Sequence, residues 1–501
     1  MTADNGMRGT TPVVALLAAI LCWGSAAVAD VVPHIWATTN PNHPGAAVQI
    51  YGRDFGPKET IDIYFDKTDE VQVVTWKSGG FGKVPLIIPA NALPGRHRIT
   101  AVGRTSGDTA KKLFVVRTDW PVFGFTADGA RYNPYENLIN AGNVSSLSPL
   151  WVGQTGNVIA SSPAVANGAV YVGSDDGKLY AFDAMTGATK WTGVTGGTVF
   201  SSPAVANGIV YVGSSDGKVY AFDAATGGPR WSATTGGEVI APLAVANGAV
   251  YAPSDDGRLY AFDALTGGPL WITDPSQSPV RTFPVIADGA IWVGWDLSQP
   301  PIFNYFLQGF GADGQFGAEA ACQHSSPVTS PAAGNGWLYF GEQSGAFCGV
   351  NPSTGEFWSA TIRGVQAPPA LANGTVYVST ANSTLYAVDA VTGAARWVAG
   401  IGSQSASAPA VANGVVYTGS LDGNLHAFDA AGGAPLWMGT TGGAIVTSPV
   451  VANGVVYVSS EDGKLYAFAL NGGHAPVYHR DSAAPSPADL LANRKAIAKP
   501  H

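Results

Sequence analysis

"SSPAVANGAVYVGSDDGKLYAFDAMTGATKW", from Ser161 to Trp191, is followed by "SSPAVANGIVYVGSSDGKVYAFDAATGGPRW", from Ser201 to Trp231. Aligning further copies on the proline near the start of this stretch gives Pro163, Pro203, Leu243, Pro284, Pro331, Pro369, Pro409 and Pro449. These positions are spaced 40, 40, 41, 47, 38, 40 and 40 residues apart. Self-similarity at such a period is the signature of a repeat architecture. Apolar residues alternate with period two inside each copy, and no stretch holds a 3.6-residue period long enough for a helix. Turn signals then divide the unit. Asn-Gly pairs (Asn167-Gly168, Asn207-Gly208, Asn413-Gly414, Asn453-Gly454) favour a tight hairpin with positive φ at both positions. Asp-Gly pairs (Asp176-Gly177, Asp216-Gly217, Asp422-Gly423) are expected to do the same at the next hairpin, and Thr-Gly pairs (Thr186-Gly187, Thr226-Gly227, Thr392-Gly393) make the third.

Three hairpins join four antiparallel strands, which is one propeller blade. A single such sheet cannot bury both faces, but eight packed radially can. Trp191, Trp231, Trp271, Trp358, Trp397 and Trp437 then read as packing between neighbouring blades. The eighth copy ends at "LYAFALNGG" without its tryptophan strand, and Trp151 in "SPLWVGQTG" supplies the missing one, so the ring closes and an exposed edge disappears. The expected fold is all-β: an eight-bladed β-propeller over residues 151–473, behind a small N-terminal β-sandwich.

The composition agrees. With 46% hydrophobic and 12% charged residues, 64 glycines and 34 prolines, the 501-residue chain suits strands and tight turns. A net charge of −9 argues against a nucleic-acid partner, which would need a clustered basic face. Arg8, the apolar run "VVALLAAIL" (Val13 to Leu21) and the small-residue site "AVAD" read as a secretory signal peptide over residues 1–29. Nine apolar residues fall short of the roughly twenty that span a bilayer. The mature chain is therefore expected to carry no transmembrane segment and to reside in the periplasm or outside the cell. Leu21 is too large for a lipoprotein cleavage motif before Cys22. Once Cys22 leaves with the signal, Cys322 and Cys348 remain, and in an oxidising compartment they are expected to form a disulfide, two unpaired buried thiols being the alternative.

Residues 32–117 differ from the repeats. "AAVQIYG", "TIDIYFD", "KVPLIIP", "HRITAVG" and "KLFVVR" are short alternating runs between Gly, Pro and Asp turns, the pattern of a small sandwich. Residues 118–150 are a turn-forming, aromatic lead-in, and residues 474–501, rich in Ala, Pro and charge, read as a disordered tail. Two resemblances follow. "PGAAVQIYGRDFGPKETIDIYFD" and "IPANALPGRHRITAVG" resemble the immunoglobulin-like (IPT/TIG-type) modules of secreted proteins. "YAFDAATGGPRW" resembles the tryptophan-docking repeat of the pyrroloquinoline-quinone (PQQ)-like propeller superfamily, and "RYNPYENLINAGNVSSLSPLW" resembles the lead-in of its quinoprotein alcohol dehydrogenases. That superfamily also holds non-catalytic members, such as the propeller subunit of the bacterial outer-membrane barrel-assembly machinery, so the fold does not decide the function.

A specific site is expected where the repeat is violated. The hairpin between the second and third strands is a short turn in six copies. In the fourth it becomes "GWDLSQPPIFNYFLQGF" (Gly294 to Phe310), and in the fifth "GEQSGA", which introduces Glu342. Three residues before the aligned proline stand Ala160, Phe200, Ile240, Val328, Ala406 and Val446, but Arg281 in the fourth copy and Gln366 in the sixth. Both features fall on one face of the ring. Arg281, Trp295, Asp296 and Glu342, with Arg363 and Gln366 nearby, are thus candidates for a ligand pocket at the channel mouth. The competing reading is structural: a divergent blade in which Arg281 pairs with Asp296 or Glu342. The remaining acids, such as Asp176, Asp216 and Asp462, sit in hairpins as turn formers.

The favoured function is an exported, non-catalytic binding scaffold of the envelope or extracellular space. Its partner would be a protein, glycan or small ligand, and no cofactor is expected. The alternative is a PQQ-dependent oxidoreductase with calcium. The resemblance implies that such an enzyme needs a carboxylate base near the quinone, for which Asp296 and Glu342 are the nominees. Against it stand the spacing of Cys322 and Cys348, which are not the adjacent pair common in the family's alcohol dehydrogenases, and the lack of a haem-attachment C-x-x-C-H motif.

Overall fold

The computed structural model describes residues 32–38, 41–274, 279–294, 307–322, 329–342 and 345–470. The expected signal peptide (1–29) and tail (474–501) lie outside them.

Seven strands come first: β1 (His34–Ala37), β2 (Ala47–Arg53), β3 (Thr60–Phe65), β4 (Thr68–Val74), β5 (Phe81–Ile87), β6 (Gly95–Gly103) and β7 (Thr109–Val116). β1–β2–β5 form one antiparallel sheet and β4–β3–β6–β7 the other. Ile35, Val48 and Ile50 from the first sheet meet Ile61, Ile63, Ile99 and Val116 from the second in one buried core. Buried apolar residues alternate with solvent-facing ones along β2 and β5, as a two-sheet sandwich requires. The five apolar runs of the sequence lie on β2, β3, β5, β6 and β7. β1 is too short and β4 ("TDEVQVV") too polar to stand out.

The repeats fold into eight sheets of four antiparallel strands. The first comprises Ala164–Ala166, Ala169–Ser174, Lys178–Asp183 and Thr189–Val194. The last is built from Val450–Ala452, Val455–Ser460 and Lys464–Leu470 and takes its outermost strand from β9 (Leu147–Gln154), 310 residues back in the chain at the Leu465–Gly153 pair's far neighbour Lys464–Gln154. The three-residue innermost strands touch one another in turn around a closed circle. Between blades, each docking indole donates to a backbone carbonyl of the next: Trp151 to Ala184 (3.0 Å), Trp191 to Ala224 (3.1 Å), Trp231 to Ala264 (3.1 Å) and Trp271 to Ala312 (2.7 Å). Trp358 and Trp397 do the same to Ala390 and Ala430, and Trp437 closes the circle on Leu147 (3.1 Å).

The turn residues divide differently from the sequence expectation. At Asn167-Gly168 both residues have positive φ (53° and 75°). At Asp176-Gly177 only the glycine does (78°), and Gly177 N–H bonds back to Ser174 O at 3.1 Å. The Asp-Gly hairpin is therefore one residue longer, a turn closed by a left-handed glycine, in which the Asp176 carboxylate accepts from Lys178 N–H as Asp422 does from Asn424 N–H.

The lead-in carries a structure its composition conceals. From Trp120 to Asn133 it runs along the innermost strands as a strap. The carbonyls of Trp120, Pro121, Ala127, Asp128, Ala130 and Arg131 accept from the amides of Val165, Val205, Ile286, Ala333, Leu371 and Val411, in six different blades. Within it β8 (Tyr132–Asn133) pairs in parallel with Ala410–Ala412, and Asn133 Nδ2 reaches Val451 O (2.8 Å) in the eighth blade. The strap thereby satisfies edge amides that the short inner strands would otherwise leave bare.

Candidate functional site

The pair of residues before the aligned position, Ser-Ser in the first two repeats and Thr-Ser in the fifth and eighth, builds part of the walls of the channel. The first hydroxyl stays within its blade: Ser161 Oγ donates to Gly173 O (2.9 Å) and accepts from Gly173 N–H (2.7 Å). The second links blades. Ser448 N–H donates to Ser162 Oγ (2.8 Å), Ser162 N–H to Ser202 Oγ (3.0 Å), and Phe283 N–H to Ser330 Oγ (2.7 Å). This girdle fixes the incoming loops so that the residue three before the proline points to the mouth.

There the chain surrounds a cup of about 420 Å³, whose lining includes Ala160, Phe200, Ile240, Arg281, Ala406 and Val446. Phe123 of the strap also lines it. Behind Phe123 sits Arg131, fully buried, its guanidinium carbon 4.4 Å from the ring centroid. Arg131 Nη1 donates to Gly129 O (2.8 Å) and Pro369 O (3.1 Å), while Nε and Nη2 meet no hydrogen-bond partner among the described residues. Burial pushes its pKa down to about 9. The aromatic face offsets part of the cost of enclosing that charge.

The candidate residues separate. Arg281 is at the cup, but it is held by Asp255 of the preceding blade's hairpin, Nε to Oδ1 at 3.0 Å and Nη2 to Oδ2 at 2.6 Å. This bidentate pair forms because the Asp255 hairpin lies beside the incoming loop of the fourth blade. Arg363 and Gln366 are exposed at the sixth blade's incoming loop. Trp295 and Asp296 lie outside the described residues. Glu342 is not a mouth residue: it is buried, 3% exposed, and its carboxylate lies with the sulfurs of Cys322 and Cys348 within 4.8 Å of one another. Those two cysteines are joined in a disulfide. Glu342 N–H bonds to Ala346 O (2.8 Å) and Gly345 N–H to Glu342 O (3.0 Å), as Gly177 N–H does to Ser174 O in the first blade, and Glu342 takes the inward position that the buried Ser174, Ser214 and Ser254 hold. Disulfide sulfurs are not thiolates, so this trio is no metal site while the bond is intact.

A quinone and calcium would require several oxygen ligands and a carboxylate base converging on one mouth, calcium alone taking roughly six to eight oxygens. The described lining of the cup contributes one carboxylate, the exposed Glu238, besides hydroxyls and apolar side chains, and Arg281 is already engaged. The described residues do not fit that pair of groups.

Sequence reasoning missed Asp255, Phe123 and Arg131. Asp255 looks like any hairpin acid, and the two strap residues belong to a segment with no repeat to compare them against.

A family model described as "Outer membrane protein assembly factor BamB" matches residues 96–225, 193–294, 307–408 and 392–499. No curated protein matches the chain. Among solved structures, a europium-containing methanol dehydrogenase is similar with a TM-score of 0.62 at 16% identity, over 70% of this chain and 98% of that one. BamB from Moraxella catarrhalis is similar with a TM-score of 0.56 at 17% identity, over 65% and 98%. The quinohemoprotein alcohol dehydrogenase from Comamonas testosteroni is similar with a TM-score of 0.61 at 18% identity, over 71% and 81%. At such identities the likeness is one of fold, the PQQ-like propeller.

Proposed function

Since the chain belongs to the repeat family described as outer membrane protein assembly factor BamB, we propose that it is a non-catalytic binding platform, exported to the cell envelope or extracellular space. Its channel mouth docks a protein. The observation that carries this reading is the cup itself. One repeated position supplies Ala160, Phe200, Ile240, Ala406 and Val446 around a hole floored by Phe123, with the Arg281–Asp255 pair beside it. An apolar, concave centre with a polar rim is the arrangement in which an inserted side chain of a partner contributes most to binding. No helix among the described residues is long and apolar enough to cross a membrane. The signal-like N-terminus and the disulfide support export.

The likeness to two quinoprotein dehydrogenases supports the second reading, a PQQ-dependent oxidoreductase. One set of experiments separates them. Purified protein is incubated with PQQ and calcium, then assayed for bound quinone absorbance and dye-linked alcohol oxidation. In parallel, wild type and a Phe200→Asp/Ile240→Asp variant are cross-linked in an envelope extract. Binding of a partner that the variant loses, without quinone uptake, is the expected result. Quinone uptake that disappears in Arg281→Ala would overturn the scaffold reading.

A further inference from the structure

The outward face of the β1–β2–β5 sheet carries a feature that the propeller's role leaves unused. Trp36 and Tyr51 are cross-strand partners on β1 and β2. Their rings are parallel within 2° at a centroid separation of 5.6 Å. Opposite Tyr51 the pairing with β5 slips, so a bulge places Gly82 and Lys83 there, with Lys83 at a φ of 49°. Trp76 leans over this bulge. A Cβ on Gly82 would lie 3.3 Å from its ring, and one on Gly80 3.4 Å, so the two glycines keep a flat floor for the indole. The Trp76 backbone is pinned, its N–H to Gly80 O (2.8 Å) and its carbonyl accepting from Gly79 N–H (3.0 Å). Yet Trp76 is 62% exposed and Trp36 45% exposed. Large aromatic side chains held in place in water by a built floor mark a binding surface rather than a core.

These rings line a groove of about 630 Å³ together with Arg53, Ser78 and Lys83. Both charged side chains in its lining are cations. Asp54 lies 3.3 Å from Arg53 Nε and offsets part of that charge, which leaves Lys83 as the main positive group. We propose that this groove binds an acidic polysaccharide. A pyranose ring is flat, with C–H groups on its faces and hydroxyls around its edge. The C–H faces suit the electron-rich faces of Trp36, Tyr51 and Trp76. Ser78 meets edge hydroxyls, and Lys83 and Arg53 meet the carboxylates. A peptide strand would instead add to a sheet edge through backbone hydrogen bonds, with pockets for alternate side chains. Here the recognition elements stand on the face, over a glycine floor, and in a row across the strands.

The test uses the full chain titrated with oligogalacturonate and, separately, with neutral cello-oligosaccharide of equal length, followed by tryptophan fluorescence and calorimetry. Saturable binding of the acidic sugar, about tenfold tighter than the neutral one, is expected. Trp36→Ala and Trp76→Ala should each weaken it about tenfold with an unchanged circular dichroism spectrum, and Trp76→Tyr should retain most of it. Lys83→Gln should remove the preference for the acidic sugar while neutral binding stays. The proposal is overturned by the absence of saturable binding. It is equally overturned if the double tryptophan variant binds as wild type does, or if an acidic peptide of equal charge binds as tightly, since either would mean simple charge attraction.

Discussion

Replacing Gly227 by alanine tests the interlock between blades at a single atom. Gly227 has a φ of 72°, and an added Cβ would lie 2.6 Å from Trp191 Cδ2. The left-handed backbone alone costs a residue with a side chain roughly 1–2 kcal/mol. Relieving the overlap must shift the indole, at about 1–3 kcal/mol, and strains the bond from Trp191 Nε1 to Ala224 O. The expected destabilisation is therefore about 3 kcal/mol. Gly228, its neighbour, is the control: a Cβ there meets Thr226 Oγ1 at an ordinary 3.4 Å and φ is not left-handed, so Gly228→Ala should stay within about 1 kcal/mol of wild type. Denaturant unfolding with midpoint and slope compared for each variant gives the numbers. In a Trp191→Ala background the overlap is gone, so Gly227→Ala should then cost only the roughly 1–2 kcal/mol of backbone strain. Equal destabilisation by the two alanines, or full additivity with Trp191→Ala, would refute the reasoning.

His426 occupies the place where other blades have tyrosine. Tyr180, Tyr220, Tyr260 and Tyr466 each donate to a hairpin aspartate and accept a glycine N–H. His426→Tyr should restore that pair with Asp422 and stabilise by about 1 kcal/mol. Burial lowers the His426 pKa despite Asp422, so its contribution is present above about pH 6.5, the ordinary histidine value, and is lost as the imidazole is forced to protonate below it; stability profiles between wild type and the tyrosine variant should diverge on acidification. His97 behaves oppositely. Burial alone would lower its pKa, but the Asp66 carboxylate (2.7 Å) and Leu93 O outweigh it and the value is raised. Its stabilisation is full below its ordinary pKa and falls as pH rises through the folded value, and His97→Gln should abolish that slope, as followed by melting from pH 6 to 8. Cys348→Ser should lower stability by about 3 kcal/mol, and reductant should lower the wild-type melting temperature but not that of the variant.

The architecture was legible because its determinants recur. Asn-Gly turns, alternating apolar residues and a docking tryptophan in seven of the eight blades are local, and eight copies average out local exceptions. Even so, the Asp-Gly hairpin differs from the expectation: its loop has three residues rather than two, and the aspartate caps an amide two residues on, as Asp176 does for Lys178 and Asp422 for Asn424, so only the glycine takes positive φ. The strap was invisible because its contacts are backbone carbonyls, which leave no side-chain signature. The mouth was half legible. Arg281 and Glu342 are both departures from the repeat, but for different reasons. Arg281 answers Asp255 across a blade boundary. Glu342 answers a disulfide that ties the segment after the fourth blade to the fifth. Departure from symmetry marks a changed neighbourhood, and only coordinates say whether that neighbourhood faces solvent.

That distinction locates the freedom in this fold. Within each repeat almost every side chain near the channel has a structural partner. In the first blade Ser161 closes on Gly173, Ser162 links to the second blade's Ser202, and Tyr180 donates to Asp176. The strap occupies the inner-strand edges through its backbone and sets Phe123, backed by Arg131, as the floor of the cup. The residue three before the proline is the exception. Ala160, Phe200, Ile240, Ala406 and Val446 differ widely in size at one equivalent position. A ring that needed this position for stability would constrain its volume, because packed interiors feel even a single methylene. Its variation from alanine to phenylalanine shapes an uneven cup.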